Sequence, residues 1–321
     1  MPERGTHNEN RFTQPKSVND ILALNRSLWS LQGQAFEYFL DGWTASIGTR
    51  LKQLRGDAVR PSHSVIVPAK NEEAYILQNM ESLARQEGFG QDTGFETIIV
   101  VNDCDANDRT LDIVQRIQKF AGEDAFQVIS YNGKKPGGLA LARQTGLDNT
   151  RGDIIATTDA DVITLPLWLK KLTSPLEDPS VTCVVGNYNY YDRQEIPFLY
   201  FESTARILNK SLLRLIPVEK IHKGLLFTTG QTSAFRKNDA ENIGGYDMDK
   251  IIGEDSDLGK RLGALGRIAL VEDPQAVIWS SPRRLRHVGM LTLILKDLLV
   301  RSAHESMYLD KKINEMKNHR N

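Results

Sequence analysis

Four short apolar runs, each set apart by a stretch of helical length, constrain this chain more than any other feature. They are Ser64-Val65-Ile66-Val67, Thr97-Ile98-Ile99-Val100-Val101, Val128-Ile129-Ser130-Tyr131 and the segment from Asp153 to Thr158. Runs this short and this rich in β-branched residues read as buried strands. Between them, Asn71 can cap a helix with Glu72 and Glu73 in its first turn, and further helices are expected from about Arg109 to Phe120 and from Gly138 to Leu147. Strands joined by helical crossovers of this length pair in parallel, which implies a doubly wound α/β sheet. Ligands in such sheets bind beyond the carboxyl ends of the strands. After Val162 the pattern predicts a helix over Pro166–Leu172 and a strand over Val181–Val185. An aromatic-rich amphipathic segment over Ile196–Leu215 is expected next, then a polar turn at Thr228–Thr232 leading into a short helix. A helix through Leu258–Leu265 and strands near Ile268–Leu270 and Ala276–Trp279 complete the set.

Residues 1–17 are polar and aperiodic and are expected to be disordered. From there Ile21, Leu24, Leu28, Leu31, Ala35 and Tyr38 recur at spacings of three and four, and Trp43, Ile47, Leu51 and Leu54 carry the stripe on. That is an amphipathic-helix pattern with a break expected near Gly42, so residues 18–60 are read as a helical extension. Its stripe could pack on the main domain, form a homodimer seam or lie on a membrane surface. Residues 286–321 are expected to form a C-terminal amphipathic helix. The nearest approach to a membrane span, Val288–Val300, is interrupted by Lys296 and Asp297.

A formal net charge of -1 argues against nucleic-acid binding by broad phosphate neutralisation. The two cysteines, Cys104 and Cys183, do not suggest a disulfide framework, and the polar start Met1–Gly5 lacks the apolar core of a signal peptide. A cytoplasmic setting is therefore expected, with peripheral membrane contact left open.

Asp159-Ala160-Asp161 closes the fourth strand. On an extended stretch, carboxylates at i and i+2 point the same way, and their repulsion calls for water or a cation. Hard oxygen donors suit Mg²⁺ or Mn²⁺, which also bridge phosphate oxygens. An ordinary polar turn is the other reading of the same residues.

The motifs then line up in order. They are Val65-Ile66-Val67-Pro68-Ala69-Lys70-Asn71-Glu72-Glu73, Val100-Val101-Asn102-Asp103, Ala142-Arg143-Gln144-Thr145-Gly146, Asp159-Ala160-Asp161, Gly244-Gly245-Tyr246-Asp247 and Gly253-Glu254-Asp255-Ser256-Asp257-Leu258. Over roughly residues 62–285 this resembles the family 2 glycosyltransferases of the GT-A fold. The resemblance implies a GT-A domain over residues 61–285, with a mixed doubly wound sheet. It implies an inverting, metal-assisted transfer of one sugar from a nucleotide-sugar donor. Pro68 and Glu72 would flank the nucleoside, Asp103 would accept hydrogen bonds from the base, and Arg143 would reach the base or phosphates. Asp161 would bind Mg²⁺ or Mn²⁺, and Asp159 would contact the donor's ribose or sugar or a metal-bound water. Asp255 matches the general base, while Gly230, Gln231 and Glu254 are candidates for the acceptor or sugar. Arg283 and Arg284 could grip the diphosphate. His287 could add a metal ligand or be a plain packing residue. The chain departs from the pattern at Asn102, where an acid is usual, at Cys104, where glycine or serine is usual, and at Gln144, where asparagine is usual.

Inversion needs one carboxylate on the face opposite the leaving group, which is the role implied for Asp255. A nucleotidyltransferase is the next reading, but Pro68–Glu72 lacks the glycine-rich, lysine-bearing loop it would want. A non-catalytic scaffold would have no need of the base. The Gln-x-x-Arg-Trp signature of processive synthases is absent, which favours addition of a single sugar. The acceptor is left open among small molecules, glycans and lipid-linked species. Phe198–Phe201 with Leu208, Leu212 and Leu213 could line an apolar wall for it or simply pack as a helix.

Overall fold

The computed structural model describes residues 17–90, 93–102, 104–131, 138–191, 230–250 and 253–283. The chain divides into two compact units, residues 1–189 with 208–280 and residues 190–207 with 281–321. The expectations for residues 1–16, the Ile196–Leu215 segment and the 286–321 helix lie outside the described residues.

The first unit opens on two helices, α1 (Val18–Trp29) and α2 (Gly33–Arg55). Ser17 and Asp20 close a capping box on α1: the Asp20 backbone N–H donates to the serine hydroxyl, and the Ser17 backbone N–H donates to the aspartate. The break falls at residues 30–32, not near Gly42, which lies inside α2. A mid-helix glycine costs about 1 kcal/mol against alanine. Full burial of the neighbouring Leu40, Trp43 and Ile47 outweighs that. Phe36, Leu40, Trp43, Ile47 and Leu51 join the same core as the strands, so this apolar stripe is used within the chain. Tyr38, read as part of it, is exposed. The approach of α2 to α4 (Thr110–Ala121) is close: a Cβ at Gly48 would lie 2.6 Å from the Ile117 carbonyl oxygen.

Next come β1 (His63–Ala69), α3 (Ile76–Leu83), β2 (Phe95–Asn102), α4, β3 (Phe126–Tyr131), α5 (Gly138–Asp148) and β4 (Ile154–Thr157). These follow the expected alternation. Val65, Ile66, Val67, Ile98, Ile99 and Val100 are fully buried, as strands covered on both faces must be. The expected cap at Asn71 does not form. Asn71 adopts φ +54°, α3 starts later, and the Asn71 side chain trades hydrogen bonds with Asp105 in the loop after β2, both at 2.8 Å. A side chain engaged across two loops is not available to the helix N–H groups.

The chain continues through β5 (Val162–Thr164), α6 (Trp168–Thr173), β6 (Val181–Val185), β7 (Tyr188–Tyr190), β8 (Ser233–Arg236), α7 (Lys237–Asn242), α8 (Glu254–Gly263), β9 (Arg267–Leu270) and β10 (Ile278–Ser280). The large sheet has the order β3-β2-β1-β4-β8-β6-β9. Strand β8 runs antiparallel to both β4 and β6, and the other pairings are parallel. Only a turn and a helix were expected around β8. Four residues are too short a run to read, yet Ala234 and Phe235 are buried between two strands. Strands β5, β10 and β7 form a separate small sheet. Among the described residues no helix is long and apolar enough to cross a membrane.

Candidate active site

The site lies at the carboxyl ends of β1, β2 and β4. Strand β4 ends at Thr157, so Asp159 and Asp161 sit in the turn before β5 rather than on the strand. Their orientation is set by that turn and not by strand alternation. The Thr158 backbone N–H donates to the Ile66 carbonyl at 3.1 Å. From α3, the buried Asn79 amide donates to the carbonyls of Asp159 at 3.2 Å and Val162 at 2.8 Å, bracketing the turn. The two carboxylates have different surroundings: Asp159 faces Arg143, and Asp161 is 6% exposed.

Arg143 projects from α5 and is almost completely buried. Its Nη2 meets Asp159 Oδ1 at 2.9 Å, and its Nη1 meets Glu254 Oε1. Burial works to lower the guanidinium's pKa, but Asp159, Tyr246, Glu254 and Asp255 outweigh it and hold the group charged. Burial pushes the Glu254 carboxyl above its ordinary value; Arg143 opposes this, and Asp255 and Asp159 add to it. Asp255 Oδ2 accepts the Gly230 backbone N–H at 2.6 Å, and its Oδ1 accepts the Ser256 N–H at 2.7 Å.

Glu254, Asp255 and Asp257 form the first turn of α8, where the helix dipole favours negative charge. Asp257 is taken up by Arg261 at 2.8 Å and Lys250 at 3.6 Å. Arg261 also donates to the Ile243 and Gly245 carbonyls, fastening the Gly244-Gly245-Tyr246-Asp247 turn to α8. Gln144, where the family pattern has asparagine, accepts the Tyr246 N–H at 2.6 Å and so holds that turn against α5.

The remaining expected residues divide into groups. Pro68 is buried in β1. Glu72 is buried just beyond it, with its backbone N–H on Thr110 Oγ1 at 2.8 Å. Asn102 ends β2 and donates to the Gly138 carbonyl at 3.1 Å. Cys104 accepts the Asn71 N–H at 3.3 Å, and burial raises its thiol pKa. The Gln231 side-chain oxygen is buried with no hydrogen-bond partner among the described residues. Asp103, Arg284 and His287 lie outside the described residues, as do Phe198–Phe201 and the leucines after them. Arg283 is described only within the second unit, where its N–H reaches Ser281 Oγ at 3.3 Å. The structure thus brings Arg143, Asp159, Gly230, Glu254 and Asp255 into one cluster. Sequence reasoning missed Asn79 and Arg261. A polar residue on the buried face of α3, among Ile76, Met80 and Leu83, was the available signal for Asn79.

Among the described residues no three histidine, cysteine or acidic side chains gather as a full metal cage. The donor set still fits Mg²⁺ or Mn²⁺. Such ions take hard oxygens and complete their shell with water and phosphate. Asp161 offers such an oxygen, and a single guanidinium faces three carboxylates next door.

A sheet of this order, with acids beyond its carboxyl ends, resembles the GT-A fold. The glycosyl transferase family 2 model matches residues 64–244, and the chain belongs to that family. An N-acetylglucosaminyltransferase of Bradyrhizobium elkanii is 31% identical over 43% of this chain and 71% of its own length. The probable glycosyltransferase YdaM of Bacillus subtilis is 30% identical over 68% of this chain, and the poly(ribitol-phosphate) beta-N-acetylglucosaminyltransferase TarS of Staphylococcus aureus is 27% identical over 51%. The chain spans only 50% of YdaM and 28% of TarS. In three dimensions it resembles the mannosyltransferase PcManGT of Pyrobaculum calidifontis, solved with GDP-Man and Mn²⁺. The TM-score is 0.53 at 22% identity, covering 81% of this chain and 68% of that one. Residues 1–349 of S. aureus TarS, solved with UDP, give 0.50 at 19% identity over 68% and 60% of the two chains.

Proposed function

We propose that this chain transfers one sugar from a nucleoside diphosphate sugar to an acceptor hydroxyl with inversion, and that Asp255 is the general base. The observation that carries this is the pinning of Asp255 by the Gly230 N–H, within one charged cluster that also contains Asp159. In the step, the acceptor oxygen attacks the anomeric carbon as the bond from that carbon to the diphosphate oxygen breaks. The hydroxyl proton passes to Asp255, and the nucleoside diphosphate leaves. Asp255 suits this role because both of its oxygens are oriented by backbone N–H groups. Pro68 and Glu72 would flank the nucleoside, Asp103 would accept hydrogen bonds from the base, and Asp159 would contact the donor. Asp161 would hold Mg²⁺ or Mn²⁺, which supplies positive charge to the departing diphosphate. Gln231, whose buried oxygen has no partner among the described residues, suits a sugar or acceptor hydroxyl.

The names of two relatives favour N-acetylglucosamine as the sugar and the UDP complex of a structural neighbour favours UDP as its carrier, while the GDP-Man complex of another makes GDP-mannose the alternative to test. The catalytic domain is taken as residues 61–285, with 18–60 as a helical extension. Thermal unfolding with UDP-N-acetylglucosamine, UDP-glucose or GDP-mannose, each with and without Mn²⁺, tests the reading. Binding at 100 times Kd adds about 2.7 kcal/mol to the stability of the native state. A Mn²⁺-dependent rise in melting temperature with one donor is expected. Absence of any rise with every donor would overturn the proposal.

A further inference from the structure

We infer that Arg143 is a positioning residue that holds the donor-side carboxylate Asp159 and the acceptor-side pair Glu254 and Asp255 in one fixed register, across a contact that only glycine at position 230 permits. This rests on the transferase reading above. The guanidinium divides its fork: one nitrogen takes Asp159 on the turn after β4, the other takes Glu254 at the start of α8. These two elements are far apart in sequence, and Arg143 comes from a third, α5. At 2% exposure it is enclosed by protein, so it acts on the reaction through its neighbours rather than by touching substrate.

Gly230 completes the link. A Cβ there would overlap the Arg143 Nη2, Cζ and Nη1 together, so the residue lies directly on the guanidinium. Its φ is not in the left-handed region, so glycine is required for space rather than for conformation. The end of an arginine can usually move aside, but this one is held by two carboxylates. The backbone N–H of the same glycine donates to Asp255 Oδ2 at 2.6 Å. Any shift of the guanidinium therefore moves the donor that aims the base. A misplacement of about 1 Å at a reacting group can cost about 10²-fold in rate. Lysine would keep the charge but cannot divide a planar fork between two acids.

The test uses Arg143→Lys, Gly230→Ala and the double variant in the full chain. It follows UDP release from UDP-N-acetylglucosamine with Mn²⁺ present. Each single change is expected to lower kcat about 10²-fold while donor KM stays within about threefold. The double variant should lose far less than the product of the two, because the slimmer lysine leaves room for the alanine methyl. Independent, multiplicative losses, or losses carried by KM alone, would overturn the inference. If the parent protein turns over no nucleotide sugar, the transferase reading fails by itself. The register is then read from urea unfolding of the same four proteins, where non-additive shifts of the unfolding midpoint support it and additive shifts overturn it.

Discussion

Where α2 crosses α3, Glu81 meets Arg50 through both oxygens, at 2.9 and 2.6 Å, and also accepts the Trp43 indole N–H at 2.8 Å. At the end of β4, Arg143 meets Asp159 and Glu254, with Asp255 close enough to act on its charge. Both are buried arginine–carboxylate clusters, but their balance differs. In the first, Arg50 takes both oxygens of Glu81, and a second cation, Arg85, lies close enough to feel both charges. In the second, three acids face one guanidinium among the described residues. The Arg143 Nε, Thr158 Oγ1 and Gln231 Oε1 atoms are also buried with no hydrogen-bond partner among the described residues. An unsatisfied buried polar atom costs about 1–3 kcal/mol. Asn25 Oδ1 and Trp29 Nε1 on α1 are in the same condition, so it is the three acids around one guanidinium that set the second cluster apart. The first cluster fastens α2 to α3; the second is the candidate site.

Substitutions can break this contrast. The largest effect is expected at Asp255→Asn, which should lower kcat by about 10³-fold with UDP affinity almost unchanged, since base catalysis contributes about 10²–10⁴. Steady-state kinetics with UDP titrations check this; retained turnover removes Asp255 from the base role. Glu81→Ala should act on the other quantity. It leaves Arg50 unpaired at 13% side-chain exposure and should cost about 3 kcal/mol of unfolding free energy. The folded fraction should keep its kcat, as urea melts and activity measured together would show.

Asp161→Ala should weaken donor binding about tenfold in Mn²⁺ and leave metal-free binding unchanged, a change of about 1.4 kcal/mol by calorimetry. Equal loss with and without metal would detach Asp161 from the ion.

The smallest effect concerns pH and lies away from the site. Burial lowers His63 to about 4, with its ring nitrogens on Ser62 at 2.8 Å and Thr173 at 3.2 Å. Its folded-state value lies below the unfolded one of about 6.5, so the unfolded chain binds more protons between these values. Stability is therefore present above pH 6.5 and lost as pH falls toward 4. The loss should reach about 1 kcal/mol between pH 7 and 5.5. His63→Gln should flatten that slope in pH-dependent melts, and an unchanged slope would assign it to another group.

Much of the architecture was legible locally. β1 and β2 announce themselves because buried parallel strands are continuous apolar runs, and α4 because Ile113, Val114 and Ile117 recur at helical spacing. β8 was not legible, since four residues gain their strand identity only from the neighbours that flank them. The break between α1 and α2 was misplaced because glycine propensity at Gly42 is weaker than the burial around it. In the site, the residue types at Asp159, Asp161 and Asp255 were readable from motif order. Arg143 was expected to reach toward the base or phosphates; its enclosure between Asp159 and Glu254 was not legible, because those partners come from turns remote in sequence. Asn79 holds its turn through two hydrogen bonds and Gln144 through one, and neither leaves a periodic trace.

The sequence by itself determined that carboxylates would stand at the carboxyl ends of a doubly wound sheet. Strand and helix periodicities are local, and the strand ends follow from them. Only the tertiary structure decided how those charges are shared. Which acid faces Arg143, and which is aimed by Gly230, depends on elements joined by packing across the fold. Coulomb energy and hydrogen bonds act over a few ångströms of space, whatever the separation along the chain.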